Sequence, residues 1–191
     1  MARDYDAADR TVSAINERVV GNSVELISRF DCELGSEKLP MKQIDKIIDD
    51  LKHKYSTVEV GKGVDELELK SVEKKLSVTF PADYKYFLMK YGYLASDGPD
   101  ILGLGCDPDY DEYYSMLFFT LYDRNGEVPT FFTPRPANTV IVGAYGGGGH
   151  FFLHCEESSR SGAVELLLDE LNGKPDKLKW QSFTEYLAHY A

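Results

Sequence analysis

With 191 residues, 43% of them hydrophobic, the chain is long enough for one well-buried domain and leaves little for a second. Its 32 acids against 21 bases give a net charge of −11, which repels nucleic acid and anionic membrane and favours basic partners. Three scattered cysteines (Cys32, Cys106, Cys155) exclude a disulfide framework or a paired-cysteine zinc site. The sequence reads without a signal peptide or a membrane-length apolar run, so a cytoplasmic protein is expected.

Residues 7–30 place Val12, Ile15, Val19, Leu26 and Phe30 near helical spacing around a Gly21-Asn22 break, and Asp31 to Pro40 reads as a linker. Residues 1–41 are therefore expected to be a helical extension with its linker, and 42–191 the domain. Met41 to Tyr55 carries Ile44, Ile47, Ile48 and Leu51, the one-sided stripe of an amphipathic helix. Asp65 and Glu68 form a capping box that opens a helix through Leu69, Val72 and Leu76. Phe80-Pro81 breaks it, and a further helix starting at Pro81 aligns Tyr84, Phe87, Leu88 and Tyr91 before Gly92 stops it.

From Ile101 the pattern predicts strands: Ile101 to Gly105, Met116 to Tyr122, Val128 to Phe132, Thr139 to Gly143, Phe151 to Cys155 and Ala163 to Leu168. Runs this close together, without helical patterns between them, predict an antiparallel meander. Asn172 to Pro175 closes the sheet, and a second capping box, Ser182 to Glu185, opens a last helix with Phe183, Tyr186, Leu187 and Tyr190 on one face. The fold class expected is α+β: N-terminal helices, an antiparallel meander of about six strands, and a closing C-terminal helix.

The stretch from Thr139 to Cys155 is the centre of this reading, two apolar strands joined across Gly146 to Gly149. Glycine takes positive φ without steric cost, so the run reads as a hairpin turn. A phosphate cradle would need Gly-Lys-Ser/Thr at its end, and His150 and Phe151 stand there instead. On a strand, His150 and His154 stand roughly 13 Å apart, too far to share one metal ion, and they read as histidines of the less apolar face.

The most distinctive chemistry lies in Asp107, Asp109, Tyr110, Asp111, Glu112, Tyr113 and Tyr114. Asp107, Asp109 and Asp111 begin like a calcium loop, but Glu112 stands where such a loop needs glycine and Phe118 where it needs glutamate. A solvated acidic loop is the plain reading. Large amphipathic rings interleaved with carboxylates favour a partner-binding patch, in which the charges steer a cationic partner and the rings anchor it. No arrangement of catalytic residues stands out, and neither enzyme activity nor a metal or other cofactor is expected.

Three phrases in order resemble the SUKH superfamily (Smi/Knr-like domains). They are Val64 to Leu76 running into Thr79 to Leu88 and Lys90 to Gly92; the glycine hairpin into Phe151-Phe152-Leu153 with Gly162 to Glu165; and Ser182 to Leu187. The resemblance covers roughly residues 42 to 191 and departs at Tyr91, where the family pattern usually has Asn, and in an unusually acidic Pro99 to Tyr114. It implies a bacterial immunity protein that binds a cognate, basic protein toxin, one acting on nucleic acid or another cytoplasmic target. An intracellular scaffold or regulatory module without a toxin stays open beside it, as does a small-molecule or enzymatic domain with a pocket beside the glycine turn.

Overall fold

A computed structural model describes residues 41–106, 112–125, 137–146, 148–156, 158, 160–168 and 175–191, without the side chains of Glu112 and residues 175–178. All elements below lie in the unit Pro40–Ala191. Helix α1 (residues 41–54) buries Ile44, Ile47, Ile48 and Leu51, the predicted stripe. Strand β1 (Val58–Val60) comes next. Helix α2 (Glu66–Leu76) opens on Asp65, whose carboxylate accepts the backbone N–H of Glu68 at 2.8 Å, and it buries Leu69, Val72 and Leu76. Helix α3 (Ala82–Tyr91) buries Tyr84, Phe87 and Leu88 and ends on Gly92, whose φ of +71° is open to glycine and strained for other residues. Strand β2 (Leu94–Ser96) then pairs antiparallel with β1, Val60 opposite Leu94.

Asp45 of α1 ties this layer together. It accepts hydrogen bonds from the Tyr86 hydroxyl at 2.9 Å, the Tyr91 hydroxyl at 2.7 Å and the Lys90 ammonium at 2.8 Å, all three from α3. Burial works to raise the pKa of Asp45, but the bonds from Lys90, Tyr91 and Tyr86 outweigh it and hold the carboxyl below its ordinary value.

Met116 to Tyr122, expected as a strand, lies instead in helix α4 (Met116–Arg124). Ser115 caps it by accepting the Phe118 N–H at 3.1 Å, and the buried residues, Met116 and Thr120, stand one turn apart. Leu117, Phe119 and Leu121 alternate well enough to imitate a strand, and tertiary packing decides the matter. Ile101 to Gly105 is not a strand either, since it makes only single bridges, Leu94 to Ile101 and Gly103 to Ser115. Val128 to Phe132 lies outside the described residues.

The main sheet is an antiparallel meander of β3 (Thr139–Tyr145), β4 (Gly149–His154), β5 (Val164–Leu168) and β6 (Pro175–Trp180), in that order. Strand β6 starts at Pro175, the last residue of the expected closing turn, and runs on to Trp180. The glycine run makes the expected hairpin, with Gly148 N–H on the Tyr145 carbonyl at 3.1 Å. On one face Phe151 pairs with Leu166 and Leu153 with Val164. Phe151 meets Tyr186 of helix α5 (Phe183–Ala188) at 5.1 Å. The other face is no less buried: Ile141, Phe152, His154 and Glu165 are all enclosed. Helix α5 opens as predicted, Ser182 accepting the Glu185 N–H at 3.1 Å.

The outer edge of β3 is closed by side chains of α4. The Ile141 N–H donates to the Thr120 hydroxyl at 3.1 Å, and the Arg124 guanidinium donates to the carbonyls of Thr139 at 3.1 Å, Ala137 at 2.9 Å and Leu76 at 2.6 Å. Leu102 N–H donates to the Val142 carbonyl at 2.9 Å. An exposed strand edge invites pairing with another chain, and here the Ile141 N–H and the carbonyls of Thr139 and Val142 are satisfied within the fold. Segment 101–105 is in turn locked onto the end of α3. A Cβ on Gly103 would overlap the Gly92 carbonyl, and with glycine there Leu104 N–H reaches that same oxygen at 3.1 Å. The Tyr84 hydroxyl donates to the Leu102 carbonyl at 2.9 Å from within the core.

Phe87 sits at the centre of this core, 5.2 Å from Phe183 and 6.2 Å from Tyr84 between ring centroids. Phe87→Ala should lower unfolding stability by about 3 kcal/mol, since a large ring is lost and the void refills poorly. Chemical denaturation measures this, and an unchanged midpoint would contradict the packing described.

Candidate functional site

Of the residues expected to bind a partner, Asp107, Asp109, Tyr110 and Asp111 lie outside the described residues, as does the side chain of Glu112. The two ends of their segment are fixed side by side. Gly103 N–H donates to the Tyr114 carbonyl at 2.9 Å, and Met116 N–H donates to the Gly103 carbonyl at 2.9 Å. Residues Glu112–Tyr114 form a 3-10 turn that enters α4 through Ser115.

This turn separates two tyrosines that are neighbours in sequence. Tyr113 is 81% exposed. Tyr114 stacks on Tyr93 with 5.0 Å between centroids and 5° between ring planes, which fastens the turn to the chain just beyond α3. Helix α4 adds two rings that sequence reasoning missed. Phe118 is 39% and Tyr122 42% exposed, and they stack at 6.0 Å and 23°. Reading the segment as a strand hides them, because side chains four apart meet on a helix and not along a strand.

A second polar cluster lies on β4 and β5. His154 Nε2 is 3.2 Å from Glu165 Oε2, and the Arg160 guanidinium pairs with the other Glu165 oxygen. The sequence pattern places His154 on a less apolar strand face; in the structure it is only 3% exposed and Glu165 only 7%. Burial lowers the pKa of His154, the hydrogen bond to Glu165 opposes that, and the nearby Arg160 charge reinforces it, leaving the imidazole below its ordinary value. Arg160, Glu165, Lys179 and Gln181 border a cleft of about 260 Å³. Another depression, near Glu73, Ser77 and Asn138, also lies away from the glycine turn.

The His150 ring rests 6.2 Å from Phe119 and 6.4 Å from Phe152. Among the described residues, no three His, Cys, Asp or Glu side chains converge as a metal site would require. Burial pushes the Cys155 thiol up to about 12, so it is held as an unreactive thiol.

The family model for the SMI1 / KNR4 family (SUKH-1) matches residues 63–189, which span α2 through α5, and the chain belongs to that family. No curated protein matches it. Among the described residues, no helix is long and apolar enough to cross a membrane.

The two tyrosines should respond differently to truncation. Tyr114→Ala loses a stacked, half-buried ring and should cost roughly 1–3 kcal/mol, whereas Tyr113→Ala should leave the melting temperature within about one degree of the parent. Equal effects would show that the turn does not divide them.

The His154 cluster predicts a pH dependence. Between the lowered folded value and the ordinary 6.5, the unfolded chain binds a proton that the folded chain refuses, so stability must rise with pH across that window. Denaturant midpoints should therefore fall as pH drops from about 7 through 6.5 and below. His154→Gln should remove that part of the slope, and an unaltered slope in the variant would exclude His154 as its source.

Proposed function

We propose that the protein is an immunity protein that binds and neutralises a cognate toxin in the cytoplasm, acting as a binder and not as a catalyst. The observation that carries this reading is the anchoring of the acidic segment. Four carboxylates between Asp107 and Glu112 lie between Gly103, on the N-terminal side, and Tyr114 and Met116, on the C-terminal side, both of which bond back to Gly103; the exposed Tyr113 stands beside that joint. A fixed base presents charge and an anchoring ring with less ordering cost on binding than a free tail would incur. A toxin that acts on nucleic acid needs a basic surface to hold phosphates, and an acidic segment can attract and cover such a surface. Family membership is compatible with this role, and the net charge of −11 supports a cationic partner.

The test changes Asp107, Asp109 and Asp111 to Asn and Glu112 to Gln together, which keeps size and polarity but removes the field. The partner tested is the C-terminal domain of whatever protein the upstream neighbouring gene encodes, co-expressed with the parent or the variant. Association should slow by roughly tenfold or more at low salt and lose most of its salt dependence, with the melting temperature almost unmoved. Equal protection and equal binding by the variant at low and high salt would refute the assignment.

A further inference from the structure

We infer that the outer face of α4, carried by Phe118 and Tyr122 with Tyr113 ahead of it, is a stacking surface for arginine side chains of a basic protein partner. The inference rests on the binding role proposed above but assigns the contact to a different element. Phe80, Phe87, Phe151, Phe152 and Phe183 are all buried, so the exposed Phe118 is an exception among the described phenylalanines. It is held in place, stacked on Tyr122 one turn later and edge-on to Phe119 at 5.5 Å, and both Phe118 and Tyr122 keep part of their rings in solvent.

Charge selects the occupant. A second copy of this chain also carries −11 and is repelled, as are nucleic acid and an anionic bilayer. A cationic protein is attracted. The helix does not oppose it, because Arg124 is turned toward the carbonyls of Leu76, Ala137 and Thr139, while Asp123 comes directly after Tyr122. Arginine suits stacked rings better than lysine does. Its guanidinium is planar and weakly hydrated, and it lies flat on an aromatic face while keeping its donors free at the edges.

Two probes of equal charge test this without knowledge of the toxin: nona-arginine and nona-lysine peptides, titrated calorimetrically against the full chain. The parent should bind nona-arginine about fivefold or more tighter than nona-lysine, as two exposed cation–π contacts imply. The double variant Phe118→Ser, Tyr122→Ser should bring that ratio to near one and leave nona-lysine affinity unchanged. Should the double variant fail to fold, ring-proton shifts of Phe118 and Tyr122 in the parent give the same answer, moving with nona-arginine and staying still with nona-lysine. Equal affinities for the two peptides, a preference that survives in the folded double variant, or silent ring protons would each overturn the inference. So would a dimer in sedimentation velocity that the double variant abolishes, since the face would then be occupied by a second copy. An arginine preference without toxin neutralisation would sink the immunity reading and spare this one; neutralisation without the preference would do the reverse.

Discussion

Gly92 and Gly103 meet backbone to backbone, with no room for a side chain between them. That contact fixes where the end of α3, segment 101–105 and the start of α4 stand relative to one another. The Gly92 carbonyl accepts Leu104 N–H, while Gly103 donates to Tyr114 and accepts from Met116. Leu102, held between them, accepts the buried Tyr84 hydroxyl and donates to Val142 on β3. A helix end, a sheet edge and the foot of the acidic segment are thus joined through main-chain atoms and one hydroxyl. Such joints tolerate little displacement, because a shift of half an ångström breaks bonds at several places at once. Whatever the acidic segment does, it does from a fixed footing.

Around that joint the polar groups inside the fold work as ties between elements. Asp45 links α1 to α3, Asp83 links α3 to α5 through both the backbone and the hydroxyl of Thr184 at 3.0 Å, and Arg124 links α4, α2 and β3. Each is a charged group meeting several donors or acceptors, the arrangement in which removing one partner strands the others. The His154–Glu165–Arg160 chain does the same for the β4–β5 connection, but through an imidazole whose burial disfavours its protonated form. This makes acidity a selective stress on one corner of the sheet.

How much of the molecule is legible in its sequence depends on how local the determining physics is. The stripe of α1 and the caps at Asp65 and Ser182 are set by residues within one or two turns, and they can be read directly. Strand β6 is hidden because it begins at a proline and carries Asp176, Lys177 and Lys179, which by composition suit a turn. His154 and Glu165 are hidden because polar residues on a strand suggest solvent, and only the fold shows that they satisfy each other in a buried place. Tyr113 and Tyr114 cannot be told apart without Tyr93, far earlier in the chain, against which one of them rests. The four carboxylates stand out because charge is a property of the residue and needs no partner to be seen.

The closure of the β3 edge by Thr120 and Arg124 also divides α4 between two tasks. Thr120 and Arg124 are committed to holding the strand, while Phe118 and Tyr122 keep part of their rings in solvent. From Thr139 to Val142 an approaching partner meets main-chain groups already bonded within the fold and reads side chains instead. If the outer rings are the contact proposed above, substitutions there act on recognition through the same helix whose inner residues hold the strand. One short helix thus carries two duties on opposite sides, a main-chain brace within and a surface of rings without, and a change on one side need not be a change on the other.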